Sequence, residues 1–595
     1  MSAIVAILRR GGQVDAALAH RMLAAAPHRG GATEIVVHGR SVLGVSGRAG
    51  AQESGLAIGD ELAVALAGKI DNVDALASEF GWPSDPPANP ATVAQLILAG
   101  FRIFGEDLPG RLRGTFAAVI SDGTRLWCFR DHLGFRALFY RDDAHGCYVA
   151  SEAKQVVAGA GIRREPDREV VERIFYGAYD DETPSALKGV RRLAKATVMR
   201  ADADGTTLRR YWAPEALLET ATISPADLLE RFDSLMRQAV ERTFSGTVVV
   251  SLSGGVDSPA IAAFAAPVHR RLKGEPLAAL SAVYPQLPSV DERRYIEEIA
   301  RFLNLRLHTY EKRANPLDRL QEWVRLLDGP TPKMLITDAE EHYHLARDLG
   351  FDTMLTGELA EFSADMRGFL IPHLLLRRRW RALWRRLREQ REKEASWTGI
   401  AWQLLHAFVP GSLETAYLRA RGDRDQQTIP IWLSRAKIDE AEAGFRVPAR
   451  RRWRQLQLSA FVGPGLTIEA NEICQALCDV RVRMPWADVD LWEFFLSLPA
   501  EVKFPDVRRK GLVRRLLRGK VPDVVLDRHD KTVFDASMMA RIDYGALRKW
   551  LIHTEVRIDG VDYRTLHEHL RREDLQLVDF VWAKDLAAVH AFLAS

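Results

Sequence analysis

The first part of the chain consists mainly of short segments that are either apolar or alternate between apolar and polar residues. Glycine, aspartate and proline bound these segments. This pattern predicts β-strands at Ile4–Leu8, Glu34–Val37, Leu62–Ala67, Phe116–Ser121, Arg125–Arg130 and Cys147–Ala150. One longer segment, Ala91–Phe104, repeats its apolar residues at helical spacing. The pattern predicts a layered α/β or α+β domain. A connector over residues 160–215, with a strand at Ala196–Arg200, packs on that domain, and we place the domain boundary at about residue 213.

From about residue 224 the pattern changes to strands and helices in alternation. The predicted elements are helix Pro225–Phe244, strand Thr247–Val250, strand Leu277–Tyr284, helix Asp291–Leu303, strand Arg306–Tyr310, helix Pro316–Leu327, helix Ile336–Leu349 and strand Thr353–Thr356. Such alternation is typical of a parallel sheet covered by helices. From about residue 367 the chain reads as nearly all helix, so the second domain spans residues 214–595.

Composition narrows the class of protein. The chain has 595 residues, 47% of them hydrophobic and 27% charged, with a net charge of +3. The length requires at least two domains, and the near-neutral charge argues against a nucleic-acid binder. The sequence lacks a stretch of 18 apolar residues, a signal-like N-terminus and a Cys-x-x-Cys motif, so we expect a cytoplasmic protein with no membrane span and no structural zinc.

One glycine-rich turn carries the candidate chemistry. The β-branched run that ends at Val250 leads into Ser251-Leu-Ser253-Gly-Gly255-Val-Asp257-Ser258-Pro259, where a helix begins. Ser258 is expected to cap that helix and Pro259 to occupy its first position. Glycines allow backbone N–H groups to approach a ligand, and a helix N-terminus attracts anions. A turn of this kind also occurs without a ligand, but the full Ser-Gly-Gly-Val-Asp-Ser string resembles the pyrophosphate-binding loop of ATP pyrophosphatases.

Further motifs extend the resemblance to most of the chain, which looks like a class B asparagine synthetase. In the first domain they are the N-terminal Met-Ser-Ala-Ile-Val-Ala-Ile-Leu, His28-Arg-Gly30, Arg130-Asp-His-Leu-Gly134, Leu138-Phe-Tyr140 and Ser151-Glu-Ala-Lys154. In the second they are Asp291-Glu292, Leu327-Asp-Gly-Pro330, Thr356-Gly-Glu358, Arg483-Met-Pro-Trp-Ala-Asp488, Leu496-Ser-Leu-Pro-Ala-Glu501, Lys510 and Lys531-Thr-Val-Phe534. The resemblance implies an N-terminal glutaminase-like domain of the Ntn type and a C-terminal ATP-pyrophosphatase-like synthetase domain.

The resemblance also implies a site for ATP and Mg²⁺. The nucleotide would contact Ser251, Leu252, Ser253, Gly254, Gly255, Asp257, Ser258, Val283, Thr356 and Gly357. Asp257 and Glu361 would hold the metal, although the family has aspartate where this chain has Glu361. Lys510 is expected to contact pyrophosphate and Lys531 the acyl transition state. Glu358 would accept a proton from the attacking amine.

Departures from the family pattern bear on the reaction. The family's glutaminase nucleophile is a cysteine at position 2, where this chain has Ser2, and the family's Asn-Gly-Glu is here Gly68-Lys69-Ile70. We therefore expect a first domain that does not produce ammonia. Loss of glutaminase with retained adenylation resembles two groups of relatives, the lasso peptide cyclases and the β-lactam and carbapenam synthetases. An ammonia-dependent asparagine synthetase and a catalytically inactive scaffold are the remaining alternatives.

An additional helical segment favours the first group. Residues 367–450 have no evident counterpart in the asparagine-forming enzymes, and they include an arginine-rich stretch whose apolar positions 376, 380, 383, 384 and 387 are expected on one helical face. Such a helix is either a solvated surface or a site for an acidic substrate or partner. The sequence thus favours a ligase of ribosomal peptide (RiPP) antibiotic biosynthesis, a macrocyclase that acts through an acyl-adenylate, with a leader-binding protein and a leader peptidase as expected partners.

Overall fold

The computed structural model describes most of the chain. The described residues are 2–12, 14–47, 54–82, 89–179, 184–330, 336–360, 370–392, 396–406, 429–443, 457–458, 465–506, 508–528, 532, 534–572 and 575–595. No helix among them is both long and apolar enough to cross a lipid bilayer.

Two stacked six-stranded antiparallel sheets form the first domain. Their strands are β1 Ala3–Arg9, β2 Ala32–His38, β3 Ser41–Gly47, β4 Ser54–Ile58, β5 Ala63–Ile70, β6 Gly114–Ser121, β7 Leu126–Arg130, β8 Phe139–Asp143, β9 Gly146–Ala150, β10 Arg191–Arg192, β11 Thr197–Asp202 and β12 Gly205–Arg210. The order is β10-β8-β9-β1-β3-β2 in one sheet and β12-β11-β7-β6-β5-β4 in the other.

Helices cover the outer faces of both sheets. They are α1 Ala16–Ala24, α2 Val73–Glu79, α3 Pro90–Phe104, α4 Ala153–Ala160 and α5 Arg168–Phe175. The side chains of β1 alternate between two cores: Ile4 and Leu8 pack between the sheets, whereas Val5 and Ile7 pack under helices. Burial on both faces explains why this strand is apolar from Ala3 to Leu8, and the two-sheet arrangement confirms the predicted layered class.

A five-stranded parallel sheet forms the centre of the second domain. Its strands are β13 Val248–Ser251, β14 Ala278–Val283, β15 Arg306–Glu311, β16 Thr353–Leu355 and β17 Arg481–Arg483, in the order β15-β14-β13-β16-β17. The region after residue 367 was predicted to be nearly all helix, and among its described residues the three-residue strand β17 is an exception. Three residues are too few to give a strand pattern, and β17 forms because it pairs with β16.

Helices surround this sheet and continue to the C-terminus. Before β17 they are α6 Pro225–Thr243, α7 Asp257–Lys273, α8 Arg293–Leu303, α9 Leu320–Leu326, α10 Ile336–Asp348, α11 Leu370–Leu376, α12 Trp380–Glu392, α13 Trp397–His406, α14 Arg435–Ala443 and α15 Gly465–Cys478. After it come α16 Val489–Ser497, α17 Ala500–Lys503, α18 Gly511–Leu516, α19 Asp523–Leu526, α20 Asp535–Met539, α21 Tyr544–Ile552, α22 Tyr563–Arg571 and α23 Leu577–Leu593.

Two predicted helices differ from the structure. The helix expected from Pro316 begins at Leu320, because Arg319 adopts a left-handed backbone with φ of 55°. The arginine-rich stretch divides into α11 and α12, since Arg378 has φ of 54°. The predicted single apolar face is therefore wrong: Leu383 is buried, whereas Trp384 remains 75% exposed.

Candidate active site

The glycine-rich turn lies at the carboxyl end of the central strand β13. Leu252 donates its N–H to the carbonyl of Leu280 at 3.0 Å, and Ser281 Oγ donates to the carbonyl of Leu252 at 2.7 Å. The chain then turns into α7. In an open parallel sheet, the carboxyl ends of the strands form the usual ligand crevice.

Ser258 has a different role from the predicted helix cap. Helix α7 starts at Asp257 after Val256, and Ser258 Oγ accepts the N–H of Ser253 at 2.9 Å. The hydroxyls of Ser253 and Ser258 lie 3.0 Å apart. Ser258 therefore closes the turn on itself, and Pro259 is the third residue of the helix.

Gly254 is fixed from outside the loop. Its N–H donates to Glu292 Oε2 at 2.9 Å, and its carbonyl accepts from Arg528 Nη1 at 3.0 Å. Arg528 also pairs with Glu292 at 2.6 Å and lies over the ring of Tyr295. Glycines were expected to let backbone N–H groups approach a ligand, but the N–H of Gly254 already donates to Glu292, and that of Gly255 donates to Ser253 Oγ at 3.4 Å. Glu292 and Arg528 hold the loop in shape.

Asp257 and Lys510 form an ion pair at the N-terminus of α7. The backbone carbonyl of Asp257 accepts from Trp486 Nε1 at 3.2 Å. Asp257 Oδ1 is buried and has no hydrogen-bond partner in the described part of the chain. An unpaired carboxylate oxygen beside the glycine-rich turn suits one ligand position of Mg²⁺.

The described residues offer few side-chain ligands for magnesium. Within the described ranges, no group of three or more His, Cys, Asp or Glu side chains converges on one point. Asp257 therefore fits a metal that takes most of its ligands from ATP phosphates and water. The other predicted ligand, Glu361, lies outside the described residues.

A second loop, at the end of β16, touches the first turn of α7. Thr356 donates its N–H to the carbonyl of Arg483 at 3.0 Å. A Cβ atom on Gly357 would lie 2.5 Å from the backbone nitrogen of Ser258. The next residue, Glu358, is exposed. Gly357 thus allows two backbones to meet and presents Glu358 beside the glycine-rich turn.

A cavity of 410 Å³ opens between these two loops. Of the predicted nucleotide residues, Ser251, Leu252, Ser253 and Thr356 line it, together with Glu358. Val283 is buried, and its neighbours Ala282 and Tyr284 line the wall. The structure thus brings four of the ten predicted nucleotide residues to one cavity, and the lining does not include Gly254, Gly255, Asp257, Ser258, Val283 and Gly357.

Several lining residues were not predicted from the sequence. His342 accepts or donates 2.9 Å hydrogen bonds to Ser251 Oγ and to the hydroxyl of Tyr310. Burial, with a contribution from Lys312, lowers the pKa of His342 to about 3, so this imidazole is neutral. A histidine inside a helical segment gives no sequence signal of such a role, because Ser251 lies 91 positions away.

The far wall of the cavity includes the segment that begins at Phe534, the last residue of the Lys531 motif, and ends at Arg541. Arg541 makes a two-pronged ion pair with Asp338, at 2.5 and 3.1 Å, and Lys312 approaches the same carboxylate at 3.2 Å. The ring of Phe534 lies 5.6 Å from that of Tyr284. Lys531 itself lies outside the described residues.

A smaller cavity of 150 Å³ lies between the two domains. Thr115, Phe135 and Arg136 line it from the first domain, and Glu358 and Asn471 line it from the second. Glu358 therefore borders both cavities. Between them Tyr343, which lines the cavity of 410 Å³, donates its hydroxyl to Asn471 Oδ1 at 2.7 Å.

Ser2, near the start of the chain, lies beside a group of buried ion pairs. Ser2 is fully buried, and its carbonyl accepts from Arg29 Nη1 at 3.2 Å. Arg29 pairs with Glu152 of its own domain and, at 2.6 Å, with Glu472 of α15. Burial opposes ionisation of Glu152, but Lys154 and Arg29 hold its pKa well below the ordinary value. The charges are paired, as buried charges must be.

Two family models match separate parts of the chain. The family model described as asparagine synthase matches residues 231–573. The chain belongs to the asparagine synthase family. The family model described as a glutamine amidotransferase domain matches residues 1–212, which agrees with the two-sheet Ntn-type domain. As a member of this family, the chain is an ATP-dependent, amide-forming ligase.

Similar proteins include curated asparagine synthetases. The chain is 27% identical to asparagine synthetase [glutamine-hydrolyzing] 3 of Bacillus subtilis over 462 residues, which cover 73% of this chain and 69% of that protein. It is 33% identical to a putative asparagine synthetase of Mycobacterium bovis over 190 residues, or 30% and 29% of the two chains. A glutamine phosphoribosylpyrophosphate amidotransferase structure from B. subtilis aligns with a TM-score of 0.29 at 11% identity, over 60% of this chain and 91% of that one.

Proposed function

We propose that this ligase is a lasso peptide cyclase. It would join the N-terminal amine of a core peptide to an Asp or Glu side chain of the same peptide, with release of AMP and pyrophosphate. One observation carries the proposal: position 2 is a buried serine, whose carbonyl is bound by Arg29. A first domain that does not release ammonia from glutamine leaves the attacking amine to free ammonia or to the substrate, and the additional helical segment at residues 367–450 favours an amine on a larger substrate.

The first step activates the carboxylate. A side-chain oxygen of the peptide attacks the α-phosphorus of ATP, and the bond to pyrophosphate breaks. The first turn of α7 and Lys510 are proposed to contact the departing pyrophosphate, and Lys531 is proposed to stabilise the acyl transition state. Magnesium, when bound with ATP, supplies positive charge at the phosphates, with Asp257 and Glu361 as its proposed protein ligands. The contribution of these groups is electrostatic and positional.

The second step forms the amide. The peptide's N-terminal amine attacks the acyl carbon, the C–N bond forms, and the bond to AMP breaks. Glu358 is exposed and lines both cavities, which supports the proposal that its carboxylate takes the proton that the amine loses. An N-terminal amine has a pKa near 8 and is partly protonated at neutral pH, which makes such a base useful.

The volume of the cavity is sufficient for the nucleotide. The cavity of 410 Å³ accommodates a small ligand, in the range usual for nucleotides and cofactors. The ring-forming peptide would therefore approach Glu358 from outside that cavity. Helices α11 to α14 belong to the additional segment, and they are proposed, with the first domain, to shape the peptide. Cytoplasmic processing partners, a leader-binding protein and a leader peptidase, remain part of this proposal.

The deciding experiment compares substrates. We expect purified protein with ATP and Mg²⁺ to release pyrophosphate with a linear peptide that has a free N-terminus and an internal Asp or Glu. The peptide should lose the mass of one water, and Lys531→Ala should abolish this cyclised product without a change in melting temperature. Asparagine formed from aspartate and ammonia would overturn the proposal in favour of the parent activity. A cyclised small amino acid would favour a β-lactam-type synthetase.

Ser2 gives a separate prediction. We expect Ser2→Ala to leave peptide-dependent pyrophosphate release unchanged within about twofold, because a hydroxyl at this buried position takes no part in either step. Ser2→Cys, which supplies the family's thiol, should still release no glutamate from glutamine. Glutamate release by the wild type, measured by a coupled dehydrogenase assay and lost in Ser2→Ala, would show an active glutaminase.

A further inference from the structure

Helix α12 presents an unusual combination of side chains to solvent. Residues 377–392 contain eight arginines and two glutamates, a net charge of +6 in a chain of net charge +3. Trp380 and Trp384, one helical turn apart, are 58% and 75% exposed. Arg381, Arg385 and Arg388 are exposed on the adjoining side of the same helix. We call these five residues the Trp-Arg surface.

The opposite side of α12 is anchored in the synthetase domain. Leu383 is buried in a cluster with Leu370 and Phe504. The guanidinium of Arg386 is also buried, and it donates to the carbonyl of Phe504 at 3.4 Å. Because the inner side supplies the packing, the tryptophans outside contribute little to folding. A large apolar side chain that is left in water without a packing role indicates a binding surface.

The charges of the Trp-Arg surface are available to a partner. Arg381 and Arg385 make no ion pair with any residue in the described part of the chain. Arg388 pairs with Glu392 at 3.2 Å, but both side chains are highly exposed, so this pair is weak. Guanidinium groups bind carboxylates in a two-pronged geometry, and exposed tryptophan offers a rigid apolar face beside them.

We propose that the Trp-Arg surface binds an acidic segment of the peptide substrate, outside the residues that form the ring. The segment would alternate carboxylates for the arginines with apolar side chains for the tryptophans. The identity of this peptide as the substrate rests on the proposed function. Helix α12 suits this role because α11 and α12 follow the Glu358 loop in the chain and pack on Phe504, six residues before Lys510.

A membrane surface fits the same residues less well. An interfacial helix needs a continuous apolar side toward the lipid. Here Leu383 is buried and Leu387 is half-buried, so only the two tryptophans point outward. The exposed Arg381, Arg385 and Arg388 beside the tryptophans favour a partner that carries carboxylates.

The test is binding in the absence of ATP. A fluorescein-labelled peptide of alternating Glu and Leu should bind the full chain, and the Gln-for-Glu peptide should bind at least about tenfold more weakly. Added salt should weaken the first peptide only. The variants R381E/R385E and W380A/W384A should each lose about tenfold or more in affinity with unchanged melting temperature. In turnover of a peptide with an acidic segment, they should raise KM and spare kcat.

The matched control is R271E/R301E, which makes the same change of charge at arginines that are 64% and 71% exposed on other helices. It should bind the acidic peptide as the wild type does. Equal loss in the control, normal binding by the surface variants, or binding to phosphatidylglycerol vesicles without binding to the peptide would each overturn the inference. Since no ATP is present, this outcome is independent of whether the peptide is cyclised.

Discussion

Gly357→Ala is expected to remove ATP-dependent pyrophosphate release and to destabilise the synthetase domain. The added Cβ would lie 2.5 Å from the nitrogen of Ser258 and 2.7 Å from the carbonyl carbon of Asp257. Backbone atoms of a helix start cannot rotate away as a side chain does, so β16 and α7 must separate. Overpacking of this kind costs about 1–3 kcal/mol, and a shift of about 1 Å at a reacting centre costs about 100-fold in rate.

Gly255→Ala is the control for Gly357→Ala. A Cβ on Gly255 would meet only Ser253 Oγ, at 3.5 Å, which is ordinary contact. This variant should keep the wild-type melting temperature, and any loss of turnover then reports on how closely a phosphate approaches the loop. Differential scanning fluorimetry and a pyrophosphate assay separate the two effects. A stable and active Gly357→Ala would show that the two loops do not meet as described.

Lys510→Ala is expected to lower peptide-dependent pyrophosphate release by about 100- to 1,000-fold, as is typical for loss of one charge aimed at a reacting group. The lysine is ion-paired with Asp257, and its side chain is 13% exposed. Its backbone is left-handed, with φ of 58°. Alanine and lysine have similar difficulty with this conformation, so the substitution tests the charge and leaves the backbone energy nearly unchanged.

Lys520→Ala serves as the comparison for Lys510→Ala. Lys520 also pairs with an aspartate, Asp233, at 3.2 Å, but its side chain is 36% exposed and lies on the domain surface. Its loss should change turnover by less than about twofold, in keeping with the small contribution of exposed ion pairs. Near-normal turnover in Lys510→Ala, with ATP saturating, would contradict the placement of Lys510 at the pyrophosphate.

The part of the site nearest to strand β13 was predictable from the sequence. The β-branched run before the Ser-Gly-Gly-Val-Asp-Ser string can only be a buried strand followed by a turn, and the structure shows that strand at the centre of a parallel sheet. The local pattern was misleading about Ser258. Capping preferences describe an isolated helix start, whereas here Ser258 Oγ accepts the N–H of Ser253 within a closed turn.

Other features depended on contacts between distant segments. The strand β17 exists because its three residues pair with β16, and Glu292 reaches Gly254 only after α8 has packed beside the loop. His342 joins Ser251 to Tyr310 across separate elements. These contacts join residues at no regular spacing in the chain, so the sequence pattern does not predict them.

The sequence by itself indicated the α/β class and the glycine-rich turn, because apolar periodicity and glycine placement are local consequences of backbone geometry, and its ordered motifs indicated the family. Tertiary structure alone decided which amide of the turn is already occupied, that Glu358 borders two cavities, and that Trp380 and Trp384 face solvent while Leu383 is buried. The physical reason is that burial and hydrogen-bond partners are settled by neighbours far apart in sequence, which meet only when the sheets and helices pack.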